Sequence, residues 1–121
     1  MKESEKDKVI STSMEIIMYS GDGRLFIVEA LDAIANHNFS MAKEKLTKAQ
    51  EKLTKAHCLQ TDMIQGDIRG GDEKMEYSIL FTHAQDTLMT VNSEFNIAKQ
   101  MIKIFEGYEA RISILEEKMK G

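Results

Sequence analysis

The chain has 121 residues, 42% of them hydrophobic and 30% charged, which suits one packed domain and argues against wholesale disorder. No Pro, one Cys (Cys58) and a formal net charge of −4 exclude Pro-rich linkers, an internal disulfide framework, a cysteine-rich zinc site and the basic footprint of a nucleic-acid binder. No apolar run approaches the roughly 20 residues of a membrane span, and the charged start MKESEKDK lacks the apolar stretch of a signal peptide, so the expected compartment is the cytoplasm.

Three helical segments are predicted. The first covers about Glu5 to Ala35, where Val9, Ile10, Met14, Ile17, Leu25, Val28 and Leu31 recur at helical spacing. Gly21-Asp22-Gly23 interrupts it, and two glycines cost roughly 2 kcal/mol of helix propensity, so a kink and a true break both fit. Asn36-His37-Asn38 closes the segment with turn chemistry, and His37 reads as loop surface.

The second segment opens at Phe39-Ser40, with Asn38 or Ser40 as its cap. Ala42, Leu46, Ala49, Leu53, Ala56, Gln60 and Met63 then alternate at spacings of four and three, a helix-packing seam. Its alanines allow a partner helix to approach closely. Lys45, Lys48, Lys52 and Lys55 form a basic row that reads as a solvated face balanced by Glu44 and Glu51. Cys58 reads as a small buried hydrophobe and the methionines as core. Gly66 to Asp72 has the composition of a loop joining the second and third helices.

The third segment starts near Lys74 and continues to the end. Val91, Phe95, Ala98, Ile102 and Phe105 make one apolar stripe; Ile97, Met101, Ile104, Tyr108 and Leu115 make a second. A helix apolar on so much of its circumference needs neighbours on both sides, which predicts a homo-oligomer. A third row is polar in its middle: Ile79, His83, Asp86, Thr90, Ser93 and Ile97. Polar groups in such a row set register or mark a site.

His83 is the principal chemical candidate. Neutral imidazole is a nucleophile near neutral pH and can carry a phosphoryl group on nitrogen. Asp86 lies on the same helical face and can orient the ring, while Gln85 and Thr82 offer hydrogen bonds to phosphoryl oxygens. A histidine merely satisfied within a bundle has the same spacing. His57 comes near His83 if the hairpin folds back, or is a surface histidine near a helix end. No H-E-x-x-H is present, and Gly21 to Arg24 lacks the pattern of a phosphate-cradling loop. In a symmetric oligomer Asp86 meets its own copies, where like carboxylates must protonate or hold a hard cation such as Mg²⁺; alternatively it pairs within its own chain.

Four collinear pieces carry a resemblance. Thr82-His83-Ala84-Gln85-Asp86-Thr87-Leu88-Met89 resembles the H-A-Q-D-H-L-M signature of the lactose/cellobiose-type IIA components of the bacterial phosphoenolpyruvate-dependent sugar phosphotransferase system. Gly21-Asp22-Gly23-Arg24 resembles that family's G-D/Q-A-R, Asn38-Phe39 with Ala42 its G-D-F-x-x-A, and Ala56-His57 with Gln60-Thr61 its A-H-x-x-Q-T. The resemblance spans about Asp7 to Glu106.

It implies an all-α, antiparallel three-helix bundle assembling as a homotrimer, a single phosphocarrier domain over residues 1–121 with a helical extension from about 107. It implies that His83 accepts a phosphoryl group from phospho-HPr and passes it to a cysteine of the IIB component, and so serves a IIC permease. The cargo would be a beta-glucoside or a disaccharide such as lactose, cellobiose or chitobiose. Gln85 and His57 match positions near the active histidine, and Asp86 matches an aspartate that meets its copies on the trimer axis with an associated Mg²⁺. Two departures stand out: Thr87 replaces the family's second histidine and Gly23 replaces an alanine, which would loosen the first helix. In the tail, Ile112, Leu115 and Met119 suggest a helix that continues and packs. The competing reading is a structural helical adaptor without phosphotransfer.

Overall fold

Three heptad-spaced seams build the computed structural model, which describes residues 2–69 and 79–121. The elements are α1 (Lys2–Ala35), α2 (Phe39–Arg69) and α3 (Ile79–Lys120). Each contributes one buried row: Ser13, Ile16, Ser20, Gly23, Ile27, Ala30 and Ile34 from α1; Ala42, Leu46, Ala49, Leu53 and Ala56 from α2; Phe81, Ala84, Leu88, Val91, Phe95, Ala98 and Ile102 from α3. Spacings of three and four keep every row on one face of its helix, so the rows meet along a common axis.

The α1–α2 turn is made by its own backbone chemistry. Asn38 N–H donates to the Ala33 carbonyl at 2.8 Å and His37 N–H to the Ile34 carbonyl at 2.9 Å, the paired bonds of a Schellman ending. His37 occupies the left-handed position of that motif, with φ 60°, and is exposed. Asn38 then caps α2: its Oδ1 accepts from the Met41 N–H at 3.1 Å.

Polar contacts across the bundle give the direction of α3. Arg24 meets Glu94, His37 meets Glu109 and Lys43 meets Glu106. Numbers rise together between α1 and α3 and run opposed between α2 and α3. The bundle is therefore up-down-up, with α1 packed on both partners.

Several expectations are corrected. The glycines at 21 and 23 do not break α1, which is one continuous helix of 34 residues. A Cβ at Gly23 would lie 3.2 Å from Leu53 Cγ and Cδ2, so its absence admits close packing that offsets the propensity cost. The large aliphatics chosen for the first seam lie mostly on the other face: Ile10, Met14, Leu25, Val28 and Leu31 are exposed. The true seam mixes isoleucines (Ile16, Ile27 and Ile34) with the small residues Ser13, Ser20, Gly23 and Ala30. Cys58 is exposed. Among the described residues no methionine is buried.

Gly66 to Arg69 continue α2 rather than opening the loop, since propagation adds a backbone bond for each residue ordered. The rest of the expected loop and the segment from Lys74 to Ser78 lie outside the described residues. The lysine row is solvated but not idle. Lys45 and Lys48 each place Nζ 5.9 Å from the Phe26 ring, and Lys52 and Lys55 lie 5.8 and 5.6 Å from the Tyr19 ring. Finally, α3 does continue through the tail, but Ile112, Leu115 and Met119 are exposed rather than packed.

Candidate phosphoryl-acceptor site

His83 is the fifth described residue of α3, one turn into the helix, and its side chain is exposed. Its neighbours Phe81 and Ala84 point into the core and anchor that turn, which sets the ring on a firm backbone. The whole row Ile79, His83, Asp86, Thr90, Ser93 and Ile97 is exposed. The polar residues in it are not a buried seam of the single bundle; they form a surface strip.

Asp86 shares that strip one turn below His83, and Gln85 is half-buried beside it. Thr87 directs its hydroxyl to the helix itself, donating to the His83 carbonyl at 2.8 Å. That bond ties the Thr87 side chain to the turn carrying the imidazole and leaves the ring itself open. No group of three His, Cys, Asp or Glu side chains able to hold a metal ion converges among the described residues.

His57 is exposed on α2. The pairing of Lys43 with Glu106 and the opposed direction of the helices put it level with residues near 90 of α3. At 1.5 Å per residue that is about 10 Å below His83 along the bundle. The chain's own fold thus brings Asp86 and Gln85 to His83 but holds His57 lower on a different helix.

One residue of the resemblance had no role read from it. Arg24 of α1 donates from Nε to Glu94 Oε1 at 2.8 Å and from Nη2 to Oε2 at 3.1 Å. The hydrogen bond to Glu94 raises the guanidinium pKa, partial desolvation opposes it, and the Glu94 charge adds to the rise. A sequence signal existed: an arginine closing a glycine-rich stretch in mid-helix can reach over the gap to the neighbouring helix.

The family profile described as "PTS system, Lactose/Cellobiose specific IIA subunit" matches residues 11–106. The chain belongs to this family. This lactose/cellobiose-type IIA protein is a component of a sugar phosphotransferase system, a phosphotransferase carrier rather than a free-standing catalyst of small-molecule turnover. It is 38% identical to the lichenan-specific phosphotransferase enzyme IIA component of Bacillus subtilis (strain 168), over 76% of this chain and 82% of that one. It is 31% identical to the N,N'-diacetylchitobiose-specific EIIA component of Escherichia coli (strain K12), over 89% and 91%.

Among solved structures it is similar to the cellobiose-specific enzyme IIA of Bacillus anthracis, with TM-score 0.78 and 35% identity over 84% of this chain and 92% of that one. It is likewise similar to the Escherichia coli IIA(Chitobiose) determined in complex with HPr, with TM-score 0.73 and 30% identity over 84% and 96%. The all-helical fold expected from the sequence is shared with these proteins, and no described helix is long and apolar enough to cross a membrane.

Proposed function

We propose that this IIA protein carries a phosphoryl group on His83, receiving it from phospho-HPr and giving it to a cysteine of a IIB component during sugar uptake in the cytoplasm. The observation that carries the reading is the exposure of His83 one turn into α3. A carrier must meet two macromolecules in turn, so its acceptor needs an open approach rather than a deep pocket. In the loading step the lone pair of a neutral His83 ring nitrogen attacks phosphorus, a P–N bond forms, and the donor's P–N bond breaks in line. In the unloading step a thiolate attacks, a P–S bond forms, and the His83 nitrogen leaves with its electron pair. Such transfer depends on positioning and charge neutralisation more than on covalent work by the surroundings. Gln85 supplies an amide to phosphoryl oxygens.

A homotrimer completes this reading. The exposed α3 strip and the exposed apolar residues of α1 (Ile10, Met14, Leu25, Val28 and Leu31) leave more apolar surface than a lone bundle tolerates. With three copies around the α3 strip, the three Asp86 carboxylates meet and a shared Mg²⁺ suits their oxygen-only chemistry. His57 of one chain then becomes a candidate neighbour of His83 in another. The cargo class is a beta-glucoside or disaccharide such as lactose, cellobiose or chitobiose, as the names of the relatives suggest.

The test is phosphorylation by phosphoenolpyruvate with the two general phosphotransferase proteins, read by intact mass. One acid-labile phosphoryl group per chain is expected in the wild type and in His57→Ala, and none in His83→Ala. An unmodified wild type, or a labelled His83→Ala, overturns the assignment.

A further inference from the structure

Beyond Glu106, where the family match ends, α3 continues to Lys120. The α1–α2 turn stands level with Glu109, through the 3.4 Å contact of His37 Nδ1 with Glu109 Oε2. Past that level every residue from 110 to 121 is exposed. About eleven residues of helix, roughly 16 Å, thus project from the bundle. A solvated helix of that length is marginal in water unless one face is buried.

The projecting segment carries a face made for burial. Phe105, Tyr108, Ile112, Leu115 and Met119 recur at spacings of three and four and are 46, 55, 48, 56 and 86% exposed. In heptad terms they are the a and d positions. Glu109 and Glu116 then occupy e, and Arg111 and Lys118 occupy g. One flank is acidic and the other basic.

That charge order selects the occupant. When two such helices run in parallel, the g flank of one faces the e flank of the next, and Arg111 meets Glu116 of its neighbour. When they run antiparallel, e faces e and g faces g, so acid meets acid and base meets base. A mixed-sign flank also offers no basic face for a lipid surface. A further copy of the chain, oriented the same way, covers the apolar row and pairs Arg111 with Glu116.

We infer that Phe105–Met119 is a self-association segment, which forms a parallel coiled coil with the same segment of other copies. It extends the assembly beyond the family-matched bundle, and it rests on the homo-oligomeric reading above. Alongside it, a groove of about 370 Å³ lined by Leu31, Phe39, Phe105, Tyr108 and Ile112 receives a neighbouring helix where the tail leaves the bundle.

Cysteine cross-linking tests it in full-length protein carrying Cys58→Ser. Under mild oxidation Leu115→Cys should form a covalent dimer, because parallel copies bring identical d positions together, while Ser113→Cys on the opposite face should stay monomeric in denaturing gels. Charge exchange gives an independent readout by sedimentation. Arg111→Glu and Glu116→Arg should each raise the dissociation constant about tenfold, summed over the copies, and the double exchange should restore it. Equal cross-linking at both positions, no cross-linking at Leu115→Cys, or a double exchange no better than the singles overturns the inference. Phosphorylation of His83 is measured on the same samples. A protein that is phosphorylated and oligomeric without cross-linking loses only the tail proposal, whereas a monomer removes the trimer reading as well.

Discussion

Gly21 and Gly23 show how two identical residues two positions apart do different jobs. Gly21 is exposed with open space where a Cβ would sit, whereas a Cβ on Gly23 would crowd Leu53. Gly21→Ala should therefore raise the unfolding free energy by about 0.5–1 kcal/mol, the helix-propensity difference alone. In Gly23→Ala the same gain is set against a core contact tighter than ordinary van der Waals distance, so its stabilisation should be the smaller of the two. Denaturant titration of both variants checks the order, and an equal gain would mean that Leu53 yields freely. Ser20 belongs to the same seam and is buried with its hydroxyl unpartnered among the described residues. The α1 seam accordingly accepts small side chains for their size rather than for their polarity.

At the scale of helices, the forked pair of Arg24 and Glu94 ties α1 to α3 near mid-bundle. Both side chains are more than a third exposed, so solvent screens the pair, and Arg24→Ala should cost only about 0.5 kcal/mol. The loss should shrink at high salt. Because the guanidinium pKa is raised, the pair's arginine contribution is complete below its ordinary value and fades only as pH climbs through strong alkali. The measured loss should thus be flat across neutral pH, and a loss that varies there would point to another group.

The α2 seam was legible in the sequence because alanine and leucine alternate there between charged flanks, and all five predicted positions from Ala42 to Ala56 are buried. The α1 seam was not, because large aliphatics lie on both sides of that helix: Ile16, Ile27 and Ile34 face inward among small residues, while Ile10, Met14, Leu25, Val28 and Leu31 face outward. The row from Ile79 to Ile97 was distinguished from the core stripe by its polar middle, but it is a surface strip of the single bundle rather than a packed seam. Its exposure follows from its angular offset, more than a third of a turn from Ala84 and Val91 at about 100° per residue. The opposite fates of Cys58 and the buried α2 alanines arise from angle too, since composition alone does not say which side of α2 meets α1. His83, Asp86 and Gln85 are candidates on their spacing and on the signature around them, whereas the clasp on Arg24 needed the relative placement of two helices.

Across the whole molecule, the proposed trimer would couple assembly to ionic conditions through the strip that carries His83 and Asp86. If three Asp86 carboxylates share a cation, chelation should weaken the wild-type assembly, while Asp86→Asn should associate equally well with or without divalent ions. Light scattering with and without chelator distinguishes them, and a wild type indifferent to chelation would remove the shared cation.

The up-down-up path also separates the two ends of α3 by distance. From His83 to Lys120 the helix is unbroken, some 55 Å at its regular rise. A fluorescent reporter, an affinity handle or a surface tether attached after Gly121 would therefore stand clear of visitors to the imidazole, and one attached through the α1–α2 corner would sit nearer the far end than the ring.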